Sequence, residues 1–582
     1  MYFEWQEFDL SPVPRPAEGR VHDVVIVGGG PVGLATAIAL QRRGIDAVVL
    51  EARRQVSDGS RALTLNRESL AFLADIGVSD DFMRLAQPRE RSLVFHGSQE
   101  LWRTEYATDP HERWPELALL QQCWLEYLLV EKLGEAAPGA VRWGHAVVGI
   151  TDNGDGDDGD IVIEIDAGGE RYEISSRYVV AADGARGITR KSLALDYHDV
   201  VPRRSADARF VICDFTMDHD LAPGRRLFIG PDYAPESVAI LHSQPFNVWR
   251  LDYQLPDGQT AEEATTAEAA QARVRQHLAM IGINAEPELV WVTSYRALGR
   301  TLSRYHVGKV LFVGDAAHQS PIFGGRGLNM GFGDVNSLAW RIPLALAGGH
   351  HHLDDYSDER THVVTRTLEA LTPVSLFMTS ADESSKTLRR EVMSLLPEAP
   401  GLRELIDGHA AAQVSRFPIG STAAGVVGEP LRELRVTTRT GDERHLTTLL
   451  QGGHFSLERV EGIGEPDGSV AILLRDEEAR KTPPACAESW GRAATQVLWA
   501  DEDAVRDRLG LACSGDVVFG RPDRIVYSQG APTDASHATP HSDLQRVFIE
   551  LSDLLAASGV GEPDTGSVRD SLRTAALQKV AS

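Results

Sequence analysis

Apolar and polar positions follow two periods along this chain, and the first change of period comes early. From Val21 the run VHDVVIVGGGPVGLATAIALQRRGIDAVVLEA gives an apolar strand, a glycine turn, a helix and a second apolar strand, which together make one βαβ unit. Residues 1–21 read as an irregular, proline-containing arm. Between 191 and 295 the pattern turns strand-like: RFVICDFTM, RLFIG, SVAILHS and NVWRLDYQL, separated by turn residues, predict a separate sheet inserted into the first domain. KVLFVGDAA then restores the strand-to-helix order, followed by a glycine-rich turn and the apolar helix NSLAWRIPLALA. After PIGSTAAGVVGEP the short apolar runs ERHLTTLL, VAILLR, QVLWA and RIVYS predict a small third α/β domain. The expected organisation is an α/β chain: an arm (1–21), a Rossmann-like nucleotide-binding domain in two parts (22–190 and 296–414), the inserted sheet (191–295) and a C-terminal domain (415–582).

Length and composition narrow the class. A chain of 582 residues, 42% of them hydrophobic, can bury several cores. The formal net charge of −26 repels nucleic acid and anionic membranes, so neither is expected as a partner. Cys123, Cys213, Cys486 and Cys513 form no C-x-x-C pair and no cluster at zinc-ligand spacing, which predicts neither a disulfide framework nor a bound metal. The N-terminus carries acidic residues where a secretory signal needs basic ones, and no run reaches the roughly 18 apolar residues of a spanning helix. A cytoplasmic location is expected. The acidic stretch from Asp152 to Asp160 is too polar to bury and reads as an exposed hairpin loop; a calcium loop is the alternative, but the bidentate Glu of an EF-hand is missing.

The first chemistry lies in the βαβ unit. Gly28, Gly30 and Gly33 form G-x-G-x-x-G between strand and helix: the first permits the tight turn, the second lets backbone approach a pyrophosphate, and the third lets helix pack on strand. Pro31 opens the helix, whose free N–H groups favour phosphate. Glu51 ends the second strand about 20 residues after Gly30, where a carboxylate can accept from an adenosine ribose, with Arg53 just beyond it. A solvated charge and a plain tight turn are the structural alternatives, and the fingerprint alone does not separate NAD from FAD. Two further segments do. RYVVAADGARGITR ends a strand in Asp183-Gly184, and KVLFVGDAAH ends another in Gly314-Asp315. Both aspartates are aimed at the crevice beyond the strand ends. An extended dinucleotide with a polyhydroxyl ribityl chain needs such acceptors, whereas a shorter ligand does not.

With GGGPVG (Gly28–Gly33), AADGARGITR (ending at Arg190) and VGDAAHQSPIFGGRGLNMGFGDVNSLAW (Val313–Trp340) in one chain, the sequence resembles the class A, single-component FAD-dependent aromatic hydroxylases. Within that para-hydroxybenzoate hydroxylase-like superfamily it is most similar to the phenol and 3-hydroxyphenylpropionate branch. The resemblance implies an FAD-binding domain, the inserted sheet as substrate domain, non-covalent FAD, and NADH or NADPH as a transiently bound co-substrate. It further implies that Asp183 serves both FAD and nicotinamide and that Asp315 holds the ribityl chain. Arg61 in SRALTLNRESL resembles the arginine near the FAD phosphates and the incoming nicotinamide, and Gln122 a glutamine contacting the flavin nucleotide. Pro321, Gly324, Gly325, Gly327, Leu328 and Asn329 match the turn whose helix N–H groups face the flavin pyrimidine edge. Two positions depart from the family pattern: Gly187 replaces a common Ser, and Arg326 a common Gln. Arg326 has two readings, a cation near the flavin or a surface residue. The C-terminal segment RPDRIVYS (Arg521–Ser528) resembles a thioredoxin-like tail, which without C-x-x-C reads as structural or dimer-supporting.

The chemistry so implied is oxygen addition at the flavin C4a and attack of the resulting hydroperoxide on an electron-rich, phenolic ring, using O2 and NAD(P)H. Candidates for the substrate wall are His242, Trp249, Tyr253, Trp291 and Tyr295, with His242 as a possible base and ordinary core packing as the alternative for each. The rivals are a flavin dehydrogenase without oxygen insertion and an FAD-containing redox or interaction protein. A flavin halogenase is suggested only by the partial motif WRIP at Trp340–Pro343.

Overall fold

Val24–Val27, Val48–Leu50 and Val179–Ala181 are apolar without interruption because helices cover both faces of the sheet they build, the condition under which parallel strands lose polar alternation. The parallel strands lie in the order Val310–Phe312, Glu170–Ala181, Val21–Val27, Ala47–Glu51, Val141–Trp143. Their carboxyl ends coincide, Val27 pairing with Ala181 and Ala181 with Phe312. The turns after Val27, Ala181 and Phe312 therefore open on one crevice. In this computed structural model residues 3–406 are described apart from 15–19, 60, 153–159, 203–207, 256–257 and 297; beyond them come 431–438, 441–450, 455–460, 469–476, 496–501, 509, 517–520 and 526–528. Most of the acidic loop, the segment before 431, Cys486 and Cys513 lie outside the described residues.

The helix Pro31–Gln41 is buried over nearly all of Gly33–Leu40, since the sheet and the helices Gln122–Ala136 and Gly327–Ala339 surround it. The N-terminal arm docks rather than dangles: Phe3 meets Trp124 edge-on at 5.0 Å and Phe8 stacks on Trp143 at 4.2 Å.

A second sheet of seven strands runs in the order Glu288–Arg296, Arg209–Thr216, Val248–Gln254, Val238–Gln244, Arg225–Ile229, Arg91–His96, Gln99–Glu105. Two of these strands come from before residue 190, with Arg91–His96 parallel to Arg225–Ile229. One face packs on the helix Ala267–Met280 through Trp249, Leu251, Tyr253, Val274 and Leu278. The other face turns toward the crevice. A 29-residue helix, His351–Thr379, joins the two units: Leu353, Tyr356, Val364 and Leu368 belong to the first core, and Val374 to Met378 pack under the second sheet.

A third sheet, from Arg435–Thr438 to Val526–Ser528, has seven strands, and every described pairing in it is antiparallel. Among the described residues no helix is long and apolar enough to cross a membrane.

Candidate active site

Between the first and second sheets lies a continuous cavity of about 2330 Å³. It brings together every residue that the motifs singled out, from Gly28 to Asn329, apart from Gly33. Each glycine of the fingerprint occupies a geometry that suits its position. Gly28 sits at φ 107°, and a Cβ there would lie 2.5 Å from the Ala182 carbonyl oxygen. A Cβ at Gly30 would meet nothing within 4 Å, leaving open space over the N-terminus of the helix that Pro31 begins. At Gly33 a Cβ would fall 2.0 Å from the Gly28 carbonyl oxygen, so helix and turn touch directly and the residue faces away from the cavity.

The carboxylates around this crevice are incompletely satisfied. Glu51 is buried and accepts from Gly29 N at 2.6 Å and Arg53 N at 2.9 Å, which leaves part of its acceptor capacity unused. Asp183 accepts from Thr189 N at 2.9 Å through Oδ2, while its buried Oδ1 has no donor. Burial pushes the Asp183 carboxyl up, against the lowering effect of the Thr189 hydrogen bonds. The departure at Gly187 has a steric cause here: a Cβ would lie 2.2 Å from the Asp183 carboxyl carbon. The Asp315 side chain opens into the cavity, and desolvation by the walls raises it while His318 and Arg61 lower it. Tyr197 fixes that turn by donating to the Asp315 carbonyl at 2.7 Å.

Arg61 is exposed to the cavity, and Arg53 is half-exposed beside Glu51. Gln122 is held in place, accepting from Ala62 N at 3.1 Å and donating to Glu126 at 2.7 Å, so it positions the Arg61–Ala62 backbone. Asn329 is likewise spent on protein: its Oδ1 accepts from Asn66 N and Ser69 Oγ, and its Nδ2 donates to the Thr64 and Gly325 carbonyls. Its side chain pins the glycine turn, leaving only its backbone to face a ligand. Arg326 is buried at the start of the helix Gly327–Ala339, so the surface reading of this residue is wrong. Burial lowers its guanidinium to about 10, and its Nε has no partner.

Sequence reasoning missed what holds the Gly314–Asp315 turn. Asp334 is fully buried and accepts from Gly314 N at 2.9 Å, His318 Nε2 at 2.7 Å and Arg360 Nε at 2.8 Å. Burial alone would raise its carboxyl, but His318, Arg360 and these hydrogen bonds hold it below the usual range. A signal was present: Asp334 lies four residues from both Met330 and Leu338, on the stripe that the helix buries.

The second sheet supplies the far wall. Arg250, Asp252 and Gln254 alternate with Trp249, Leu251 and Tyr253, and strand alternation sends the two sets to opposite faces. Trp249 and Tyr253 therefore pack in the core under the helix, the alternative open to each of the five candidates, whereas His242, Trp291 and Tyr295 line the cavity. Asp214 takes a bidentate pair from Arg250 at 2.7 and 2.8 Å and a third bond from Gln244. His242 is pushed well below its ordinary range by burial and by Arg89, Arg225 and Arg250; its Nδ1 has no partner.

Set beside known proteins, residues 21–370 match the family model described as FAD binding domain. The chain is 25% identical over 537 residues to 3-(3-hydroxy-phenyl)propionate/3-hydroxycinnamic acid hydroxylase of Mycolicibacterium smegmatis, covering 87% of this chain and 90% of that one. It is 29% identical over 351 residues to a probable NADH-specific resorcinol 4-hydroxylase of Rhodococcus jostii, covering 60% and 64%. Among solved structures it resembles aklavinone-11 hydroxylase with FAD and aklavinone at a TM-score of 0.67 and 21% identity, covering 92% and 100%. The flavin-dependent monooxygenase PieE with FAD and substrate gives a TM-score of 0.66 and 22% identity, covering 93% and 99%. These two structural likenesses establish the fold.

Proposed function

The chain belongs to the FAD-binding-domain family of class A flavin monooxygenases, and from that premise we propose that it inserts one atom of O2 into a phenolic ring at the expense of NADH or NADPH. It is an FAD-dependent aromatic hydroxylase, and the phenolic substrate is our finer reading. The observation that carries the cofactor assignment is the set of unsatisfied acceptors on one crevice: Asp183 Oδ1 buried without a donor, Asp315 open beside it, and free space over Gly30. A buried acceptor without a donor costs about 1–3 kcal/mol, which hydroxyl or amide donors of FAD would offset.

In this reading Gly28, Gly30 and the helix begun by Pro31 take the pyrophosphate, with Gly33 closing the turn beneath. Glu51 accepts from the ribose, and Arg53 and Arg61 face the phosphates. Gln122 holds the Arg61 segment, Asp183-Gly184 serves FAD and the passing nicotinamide, and Gly314-Asp315 takes the ribityl chain. Bound FAD supplies hydride acceptance from the nicotinamide and an electrophilic oxygen. The backbone N–H groups of Gly325, Gly327, Leu328 and Asn329, at a helix N-terminus, and the buried Arg326 stabilise negative charge there. Pro321 and His242 border the ring, and the enclosing sheets exclude water.

For 415–582 the thioredoxin-like, dimer-supporting reading is retained as a proposal. Its support is the RPDRIVYS segment, of which Val526–Ser528 forms an edge strand. The antiparallel pairings of that sheet weigh against it, and an experimental structure with no parallel pair would end it. The catalytic reading is tested by adding a panel of phenols to the FAD-loaded protein and following NADH and NADPH oxidation. A phenol that accelerates oxidation supports it; rates unaffected by every phenol contradict it.

A further inference from the structure

Two carboxylates lie on the cavity face of the second sheet, and the fold treats them differently. Asp214 is fully paired by Arg250 and Gln244. Asp252, 5% exposed and also bordering the cavity, accepts no hydrogen bond from any described residue. His242 Nε2 lies 3.6 Å from its Oδ2. A carboxylate needed only for folding would be paired as Asp214 is, because an unpaired buried charge destabilises.

Its position ties it to the cofactor elements from two sides. Asp252 lies across from Ile212 and Ile240, so its row of side chains falls between two others on the same face. In one neighbouring row Arg250 Nη1 donates to the Arg61 carbonyl at 3.5 Å. In the other, Phe210 meets Phe323 of the glycine turn edge-on at 6.1 Å. Same-face rows are roughly 7 Å apart, so Asp252 faces the space between the Arg61 segment and the Phe323 turn.

We propose that Asp252 is a catalytic base of this enzyme, taking the hydroxyl proton of a phenolic substrate held between the second sheet and the glycine turn; the inference rests on the phenol-hydroxylase reading above. The substrate O–H bond breaks, an Asp252 Oδ–H bond forms, and the electron pair stays on the ring oxygen. Negative charge thereby passes from carboxylate to ring, enriching the carbon to be attacked. The groups facing Asp252 are Arg250 on its own strand, Asp214 and His242 on the two adjacent strands, Tyr295 and Arg225 on the strands beyond those, and Arg89 beyond His242. Burial pushes the Asp252 carboxyl up to about 7; Arg250 and Arg225 oppose this and Asp214 adds to it. That value suits a base working near neutrality. His242 stands by as a neutral imidazole, since burial and three arginines disfavour its cation.

The test uses FAD-loaded, full-length enzyme without nicotinamide and 4-nitrophenol as probe, because its phenol and phenolate differ in colour. Affinity and proton uptake are measured from pH 6 to pH 9. Above the pH at which both carboxyl and free phenol ionise, the wild-type enzyme should take up one proton per probe bound, and its Kd should weaken about tenfold per pH unit. Asp252→Asn should abolish both effects while keeping the bound-flavin spectrum, and Arg366→Ala, at an exposed position outside the cavity, should keep them. Binding to the wild-type enzyme without proton uptake, which requires no substitution, overturns the proposal, as does an Asp252→Asn variant with the wild-type slope. Failure of wild type and both variants to bind the probe removes the phenolic reading, and the inference with it.

Discussion

Replacing Asp334 by Asn should damage folding and flavin binding together. The wild-type carboxylate sits at zero exposure and joins Gly314 N, His318 and Arg360, so it both neutralises a buried guanidinium and fixes the turn that presents Asp315. Asparagine keeps one acceptor oxygen, turns the other into a donor, and leaves Arg360 as a buried cation without its counter-charge. Breaking a buried pair by removing one partner costs about 3–5 kcal/mol. Loss of the Gly314 N–H anchor adds about 1–3 kcal/mol at the cofactor turn, equivalent to roughly 5–150-fold in FAD affinity. Because the Asp334 carboxyl is held low, the stability it contributes is present above its unfolded value of 3.8 and is lost as pH falls through the folded one. Asp334→Asn should therefore lose most at neutral pH and least in acid. Urea unfolding followed by tryptophan fluorescence gives the first quantity, and titration of apoprotein with FAD the second. Arg366→Ala, which removes an exposed pair with Glu369, should change stability by no more than about 0.5 kcal/mol. An Asp334→Asn protein that matched this control in stability and the wild type in FAD affinity would refute the role given to the network.

Asp315→Ala should weaken FAD retention by about 1–3 kcal/mol, because ribityl hydroxyls lose an acceptor inside a desolvated site; equal affinities in a flavin titration would contradict it. Asp252→Asn should raise stability with a pH signature. A carboxyl lifted from 3.8 to about 7 contributes stability that is complete below the unfolded value and lost as pH rises through the folded one. The variant's advantage should thus grow from pH 4 to pH 8, toward a ceiling on the order of 4 kcal/mol at about 1.36 kcal/mol per pH unit, and a constant melting-temperature difference across that range would count against it. Acid precipitation should release FAD into the supernatant, since no described His or Cys is evidently placed to bond it; yellow protein in the pellet would show a covalent link.

The nucleotide half of this protein was legible because its demands are local. A G-x-G-x-x-G turn needs particular backbone geometry at Gly28 and close approach at Gly33, and these leave a mark that the sequence shows directly. The strand ends at Asp183 and Asp315 could be read for the same reason. Asp334 was less visible, since its partners His318 and Arg360 lie 16 and 26 residues away and no short motif spans them. The substrate wall depended on which face of a strand meets the cavity. In VWRLDYQ the aromatic residues attract attention, yet alternation sends Trp249 and Tyr253 to the helix-covered side and Arg250 and Asp252 to the cavity. Only the cross-strand register, with Arg250 opposite both Asp214 and His242, identifies the paired carboxylate and leaves Asp252 as the unpaired one. Likewise nothing local in the segment Arg91–Glu105 announces that it completes a sheet built mainly from residues beyond 208.

The most direct test of the account is the fate of oxygen. FAD-loaded enzyme, a phenol that accelerates nicotinamide oxidation and heavy-isotope O2 should give a product heavier than its substrate by one labelled oxygen atom bonded to the ring. Consumption of the phenol with no label in the product, while the nicotinamide or the phenol is still oxidised, would contradict the monooxygenase assignment and leave a flavin dehydrogenase in its place.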